Sequence, residues 1–388
     1  MSTQLKPISL GFTSNPGRAA AAGSARLLNC YAENAGNEQK AKWQIWACRG
    51  LASFSTFAGA GSIRAMLEVD GTLIVVAGVR IYTVSPGGTA IDVGGIATQG
   101  PVYMARNRRA VPQVGIVSDG VYVVYSAGSV VQVYDPDLSP PTSIAFSDGY
   151  FVFSHENGTF SHTESDNATN INGLAFASAE SNADTIVRMM ALQSFVLPFG
   201  KKSIEWWQDV GGTPFAFQRD HSIQIGCAAA GSCAEVEQTI MWIADDLTVR
   251  ILQGHSAVKV STHAVDRAIA KEPNVANIVA VTWREEGHTF YCISGSTFSY
   301  SYDLSAKLWH NRESYGLSRW RVSCVAEFNG QLVAGDYAST KLYTMGANNY
   351  DEAGTPMIVE IITPPVHAWP ERVKIATLYL DMIPGVGL

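Results

Sequence analysis

One phrase recurs along the chain: a short apolar strand, a tight turn rich in Asp, Asn and Gly, a second apolar strand, and a third that ends near an aromatic. The clearest copies are IRAMLEVDGTLIVVAGVRIYTV (Ile63–Val84), VAVTWREEGHTFYCISGSTFSYSYDL (Val279–Leu304) and SCVAEFNGQLVAGDYASTKLYTM (Ser323–Met345). Weaker copies lie at Pro141–Glu164, Met189–Gln208 and Val236–Leu252, and the run after Val114 belongs to a further one. Period-2 alternation broken by such turns predicts antiparallel hairpins. Their turns fall at Asp70, about Asn107, and at Asp148, Gln193, Gln238, Glu286 and Asn329. That step of roughly 40 to 50 residues is the length of a four-stranded propeller blade. The expected fold is therefore all-β, a propeller of six or seven blades, with Val, Ile, Phe and Trp packing blade against blade.

Helical signal is confined to STHAVDRAIAKE (Ser261–Glu272), with Ser261 or Thr262 as its cap. The expected organisation is an extended arm and first strand over 1–55, the propeller over 56–346, and over 347–388 the start of a second small β unit, expected to be incomplete. WD-type, kelch-type and Asp-box signatures do not occur.

Composition narrows the class. A hydrophobic fraction of 47%, with 15 Phe, 15 Tyr and 9 Trp against 16% charged residues, excludes a disordered chain. No apolar run reaches the roughly 20 residues of a membrane helix, and the first thirty residues lack the basic head and greasy stretch of a secretory signal. Folding in a cytoplasm is expected. Six cysteines without CxxC pairs argue for free thiols over a disulfide framework or a zinc site. The formal charge of −7, with no basic stripe, is unlike a sequence-specific nucleic-acid binder.

The stretch KKSIEWWQDVGGTPFAFQRDHSIQIGC (Lys201–Cys227) gathers two tryptophans, a diglycine, a Pro-Phe-Ala-Phe step, a histidine and a cysteine. His221 with Cys227 lacks an orienting third group, and Cys227, Cys233 and His221 fit no common zinc spacing. The acid pairs Asp245-Asp246 and Glu285-Glu286 sit at hairpin tips, whereas a glycosidase needs two carboxylates across one sugar. On a strand, Trp206 and Trp207 face opposite ways, one into the core and one partly outward. Trp206, Trp207, Phe215, Phe217 and His221 are the candidate contact residues, since exposed aromatics carry much of the energy at interfaces. No cofactor, metal or catalytic residue is expected.

Five phrases in colinear order carry a family resemblance: RLLNCYAENAGNEQKAKWQIWACRGLASF (Arg26–Phe54), Lys201–Asp246, KVSTHAVDRAI (Lys259–Ile269), Glu285–Glu313 and NGQLVAGDYASTKLYTM (Asn329–Met345). Together they resemble the phage packaged-DNA stabilisation family, the tail-nozzle or tail-hub proteins of short-tailed phages. This chain departs at Cys48-Arg49-Gly50-Leu51, where the family often has Thr-Pro-Gly-Leu, and at Ala230, where it has proline. The resemblance implies a structural virion protein, made in the host bacterial cytoplasm, that forms a ring in the tail, a hexamer of itself, below the portal and its adaptor. Its further implied partners are tail fibre, spike or needle proteins and DNA passing non-specifically through the lumen. The competing readings are a propeller glycan hydrolase and a lectin-like receptor binder.

Overall fold

The computed structural model describes residues 11–19, 23–36, 42–58, 61–179, 185–365 and 377. The sheets form seven blades, each lettered A to D from the axis outward. Blade 1 runs from Ile63 to Gly95, blade 2 from Tyr103 to Gln132, blade 3 from Pro141 to Ser178 and blade 4 from Ile186 to Ile223. Blade 5 spans Ala234 to Lys259, blade 6 Val279 to Asn311, and blade 7 Val322 to Thr344. The seventh blade settles the count that periodicity left at six or seven.

Every predicted turn joins strand A to strand B, so all seven lie on one face of the disc. Asp70 and Gly71 (φ 48° and 78°), Glu286 and Gly287 (48° and 80°) and Asn329 and Gly330 (50° and 70°) are two-residue turns with both central residues left-handed. Such turns match the twist of antiparallel strands, which is why Asp-Gly and Asn-Gly between apolar runs were legible. In blade 2 the turn widens to residues 107–112. There Asn107 closes the loop, accepting from the Gln113 amide at 2.8 Å while its Nδ2 donates to Gln113 Oε1 at 3.0 Å.

The core sits in the seams between blades. Seven apolar clusters correspond to seven seams. The blade 1–2 seam is aliphatic, with Ile74, Val76, Ile81, Val114 and Ile116 fully buried. Each such side chain contributes about 1.5–3 kcal/mol. Glycines admit the closest approaches: a Cβ at Gly115 would lie 2.6 Å from Ile144 Cδ1, and one at Gly335 would lie 2.5 Å from Ile63 Cγ2. Both are strand-B glycines receiving a strand-A isoleucine of the following blade.

Ring closure uses remote segments. Ala52–Thr56 supplies the outer strand of blade 7, pairing antiparallel with Lys341–Thr344. Blade 6 grows to six strands, as Arg26–Leu28 joins Leu308–Asn311 in parallel and Glu360–Ile362 adds outside it. Between blades 6 and 7 lies the hairpin Cys30–Asn34 with Trp43–Ala47, followed by Cys48 to Leu51. The helix covers His263–Ala270, and Thr262 caps it by accepting from the Val265 amide. Of the expected C-terminal β unit, 366–376 and 378–388 lie outside the described residues.

Candidate functional site

The stretch Lys201–Cys227 forms strands C and D of blade 4 and the connector to blade 5. Alternation sends its two tryptophans into different seams. Trp206 is 2% exposed and packs toward blade 5 with Trp242 and Cys227, its ring stacked on His255 at 5.3 Å. Trp207 is half-buried toward blade 3, edge-on to Phe160 at 5.0 Å, and donates from Nε1 to Glu205 Oε2 at 2.8 Å.

Phe215 and Phe217 flank Ala216, whose amide donates to His162 Nε2 at 3.0 Å, while His162 Nδ1 donates to the Thr163 carbonyl at 2.7 Å. These two bonds fix a neutral imidazole, and burial pulls its pKa down. The Pro-Phe-Ala-Phe step therefore anchors the C–D loop of blade 4 on blade 3. Trp206 and Phe217, at 2% and 4% exposure, have no surface left for a partner. His221 is exposed, with its ring 4.6 Å from that of His255, and Trp207 and Phe215 offer only part of their rings.

Cys227 and Cys233 lie 3.4 Å apart, sulfur to sulfur, in the blade 4–5 seam. Among the described residues, no group of three or more His, Cys, Asp or Glu is placed to hold a metal ion. The acid pairs are on opposite faces of the disc. Asp245-Asp246 forms a strand B–C turn, where Asp245 meets Lys202 at 3.0 Å and Asp246 meets Arg250 at 2.6 Å. Glu285-Glu286 sits at the A–B turn of blade 6, so the two pairs cannot flank one substrate.

That A–B turn does border a depression of about 620 Å³ between blades 5 and 6, lined by Glu237, Gln238, Arg284, Glu285, Glu286 and His288 among others. Arg49, from the inserted N-terminal segment, grips both acids: Nε lies 3.1 Å from Glu285 and Nη2 2.8 Å from Glu286. Burial pushes the Glu285 carboxyl up, against the opposing charges of Arg312 and Arg49. His288 donates from Nδ1 to Asp303 at 2.6 Å, and Thr289 donates to Glu237 at 2.9 Å, tying the two turns together. Sequence reading did not find these pairs, because their members come from separate strands. The arrangement holds blades in place and presents an open surface of mixed charge.

A second interior feature lies across the axis. The Arg188 guanidinium of blade 4 stacks at 3.6 Å over the ring of Tyr103 in blade 2, bridging two blades that are not neighbours. The outer rim is uneven. Blades 1 to 3 expose Ile91, Val131, Tyr134, Leu174 and Phe176, at 54–83% accessibility, whereas the edge strand of blade 4 exposes Gln218, Arg219, Asp220 and His221. Unprotected apolar strand edges are contact sites, and charged ones resist pairing.

Fold and surface together define a closed seven-bladed propeller with buried seams and an uneven outer rim. The chain belongs to the phage-stabilisation family described as "Bacteriophage P22 Gp10, beta-propeller", whose model matches residues 28–350. It is thus a phage structural propeller protein and a virion component. No curated protein matches the chain. Among solved structures it is similar to the extracellular domain of BT4673 from B. thetaiotaomicron, with a TM-score of 0.52 at 9% identity over 78% of this chain and 40% of that one. The WD40 β-propeller domain of Doa1 gives a TM-score of 0.49 at 12% identity over 77% of this chain and 97% of that one. The first of these likenesses concerns the fold alone. No helix among the described residues is long and apolar enough to cross a membrane.

Proposed function

We propose that this chain is a ring-forming subunit of the phage tail. Placed below the portal and adaptor, the ring closes and extends the DNA exit channel, retains packaged DNA and guides its ejection. The observation that carries this reading is the family match over 28–350 on a disc whose blades are all closed, one of them by a remote N-terminal strand. Such a disc resists lateral opening, as a channel wall must.

The passage runs between copies of the chain. A single propeller axis is too narrow for a duplex and is bridged here by Arg188 and Tyr103. Neighbouring copies, fibre or needle proteins have the exposed apolar rim of blades 1 to 3 available to them. With a formal charge of −7 per chain, a ring of copies is acidic. Acidic walls repel phosphates, so DNA slides where a basic wall would trap it by counterion release.

The test is removal of the gene followed by electron microscopy of the particles. Filled heads that leak their genome, with a ring of density lost below the adaptor, are expected. Particles that retain DNA and a full tail overturn the reading, and a located ring with a Lys- and Arg-lined bore overturns the account of sliding.

A further inference from the structure

We infer that Cys227 and Cys233 form a redox-responsive dithiol, reduced when the chain folds in a thiol-rich compartment and closed to a disulfide by a small disulfide oxidant afterwards. The inference stands apart from ring formation and needs only the single chain.

The local register creates the pair. Cys227 bridges Ala244, while Ala234 pairs with Met241, so seven positions on one strand oppose three on the other. The surplus loops out as the 3-10 turn Ala230–Ser232. This excision brings Cys227 and Cys233 onto the sheet face that Ala244 and Trp242 share, toward blade 4, where all four belong to one cluster. Their sulfurs stand 3.4 Å apart. Bond formation requires about 2.05 Å. Rotation about χ1 and a small shift of the turn supply the difference, since the loop residues are Ala, Ala, Ala, Gly and Ser. No other cysteine pair among the described residues is in sulfur contact, and all six thiols are free.

The surroundings set the kinetics. Burial pushes the Cys233 thiol well above its ordinary range, and Cys227 adds to this, while the neighbouring Arg188 charge opposes it. The thiolate is the attacking form. Oxidation is therefore slow at neutral pH and quickens as pH rises. One thiolate attacks the small disulfide and expels one small thiol, leaving a mixed disulfide. The second cysteine then displaces the other small thiol, so two Cys–SH and one RSSR become one protein disulfide and two RSH.

The consequence is mechanical. Ser232 in this turn donates to the Ala229 carbonyl at 2.7 Å and accepts from the Ile243 amide at 2.9 Å. Tyr291 of blade 6 donates to the Ser232 carbonyl at 2.8 Å. A bridge from 227 to 233 clamps the joint at which blades 4, 5 and 6 meet.

The test treats the purified full chain with glutathione disulfide at pH 7 and pH 9, then denatures it and alkylates the remaining thiols. The expected result is a fall from six alkylatable cysteines to four, faster at pH 9, with the peptide between Arg219 and Arg250 free of alkyl groups and about 2 Da lighter than its unalkylated dithiol form, the mass of the two hydrogens lost on disulfide formation. In C233S the oxidant is expected to stop at a glutathione adduct on Cys227. Thermal unfolding adds a second measurement: the oxidant raises Tm of the native chain and leaves the C227S/C233S variant unmoved. A count that stays at six at both pH values, a bridge elsewhere, or an equal Tm response in the double variant overturns the inference. None of these outcomes bears on whether the chain forms a ring.

Discussion

The seam between blades 1 and 2 and the seam between blades 6 and 7 do the same job with opposite materials. The first is built from local repeats and filled with Val and Ile, among them Ile74, Val76, Val114 and Ile116. The second is split by the hairpin of Cys30–Asn34 with Trp43–Ala47 and by Cys48 to Leu51, and carries Arg49, Arg312 and Arg321 against Glu285, Glu352 and Asp336. Arg312 lies 4.3 Å over the Trp320 ring and donates to the Arg49 carbonyl at 3.1 Å. Burial opposes its charge, but Cys48, Glu352 and Glu285 outweigh burial and raise its pKa. Aliphatic packing tolerates small errors of volume. A buried ionic network depends on every member, because removing one leaves its partners charged and dry.

The contrast is broken most severely at Arg312. Arg312→Leu keeps much of the volume but removes the buried charge that faces Glu285 and Glu352, leaving these acids to Arg49 and Arg321 alone, and it should cost about 3–5 kcal/mol in chemical denaturation. A loss below about 1 kcal/mol would show that the seam is held by its aromatics alone.

Acid is the next probe. Burial, reinforced by the Arg312 and His288 charges, pulls the His310 pKa from 6.5 down to about 3. The unfolded chain takes that proton first, so this histidine's contribution is full above pH 6.5 and fades as pH falls toward about 3. Burial lowers the pKa of His155 and His162 too, which adds to the same trend. Glu285, raised by burial, works the other way and favours the folded state at low pH. Urea melts between pH 7 and pH 4 should show a net loss, smaller in His310→Phe. An unchanged slope in that variant removes His310 from the account.

The smallest effect belongs to the aliphatic seam. Ile116→Val deletes one methyl group and should cost about 0.5–1.5 kcal/mol with no pH dependence. A pH-dependent loss there would erase the distinction between the two seams.

What was legible in the sequence follows from local physics. Asp70-Gly71, Glu286-Gly287 and Asn329-Gly330 require left-handed backbone, and apolar runs flank each of them, so turns and strands read directly. The helix cap, narrowed to Ser261 or Thr262 and found at Thr262, and the opposite facing of Trp206 and Trp207 were legible for the same reason. The Asp303–His288 pair, the Arg49 grip on Glu285 and the burial of Phe217 were not, because each depends on which strands become neighbours.

Alternation, turn chemistry and a regular step thus determined an all-β propeller unaided, since hairpins form from residues close along the chain. Folding in three dimensions decided the rest. It fixed the number of blades, drew Ala52–Thr56 across to Lys341–Thr344, placed charge in one seam and brought two cysteines six positions apart into contact. Closing a ring joins segments nearly 300 residues distant, and no local preference encodes which partner such a segment will meet.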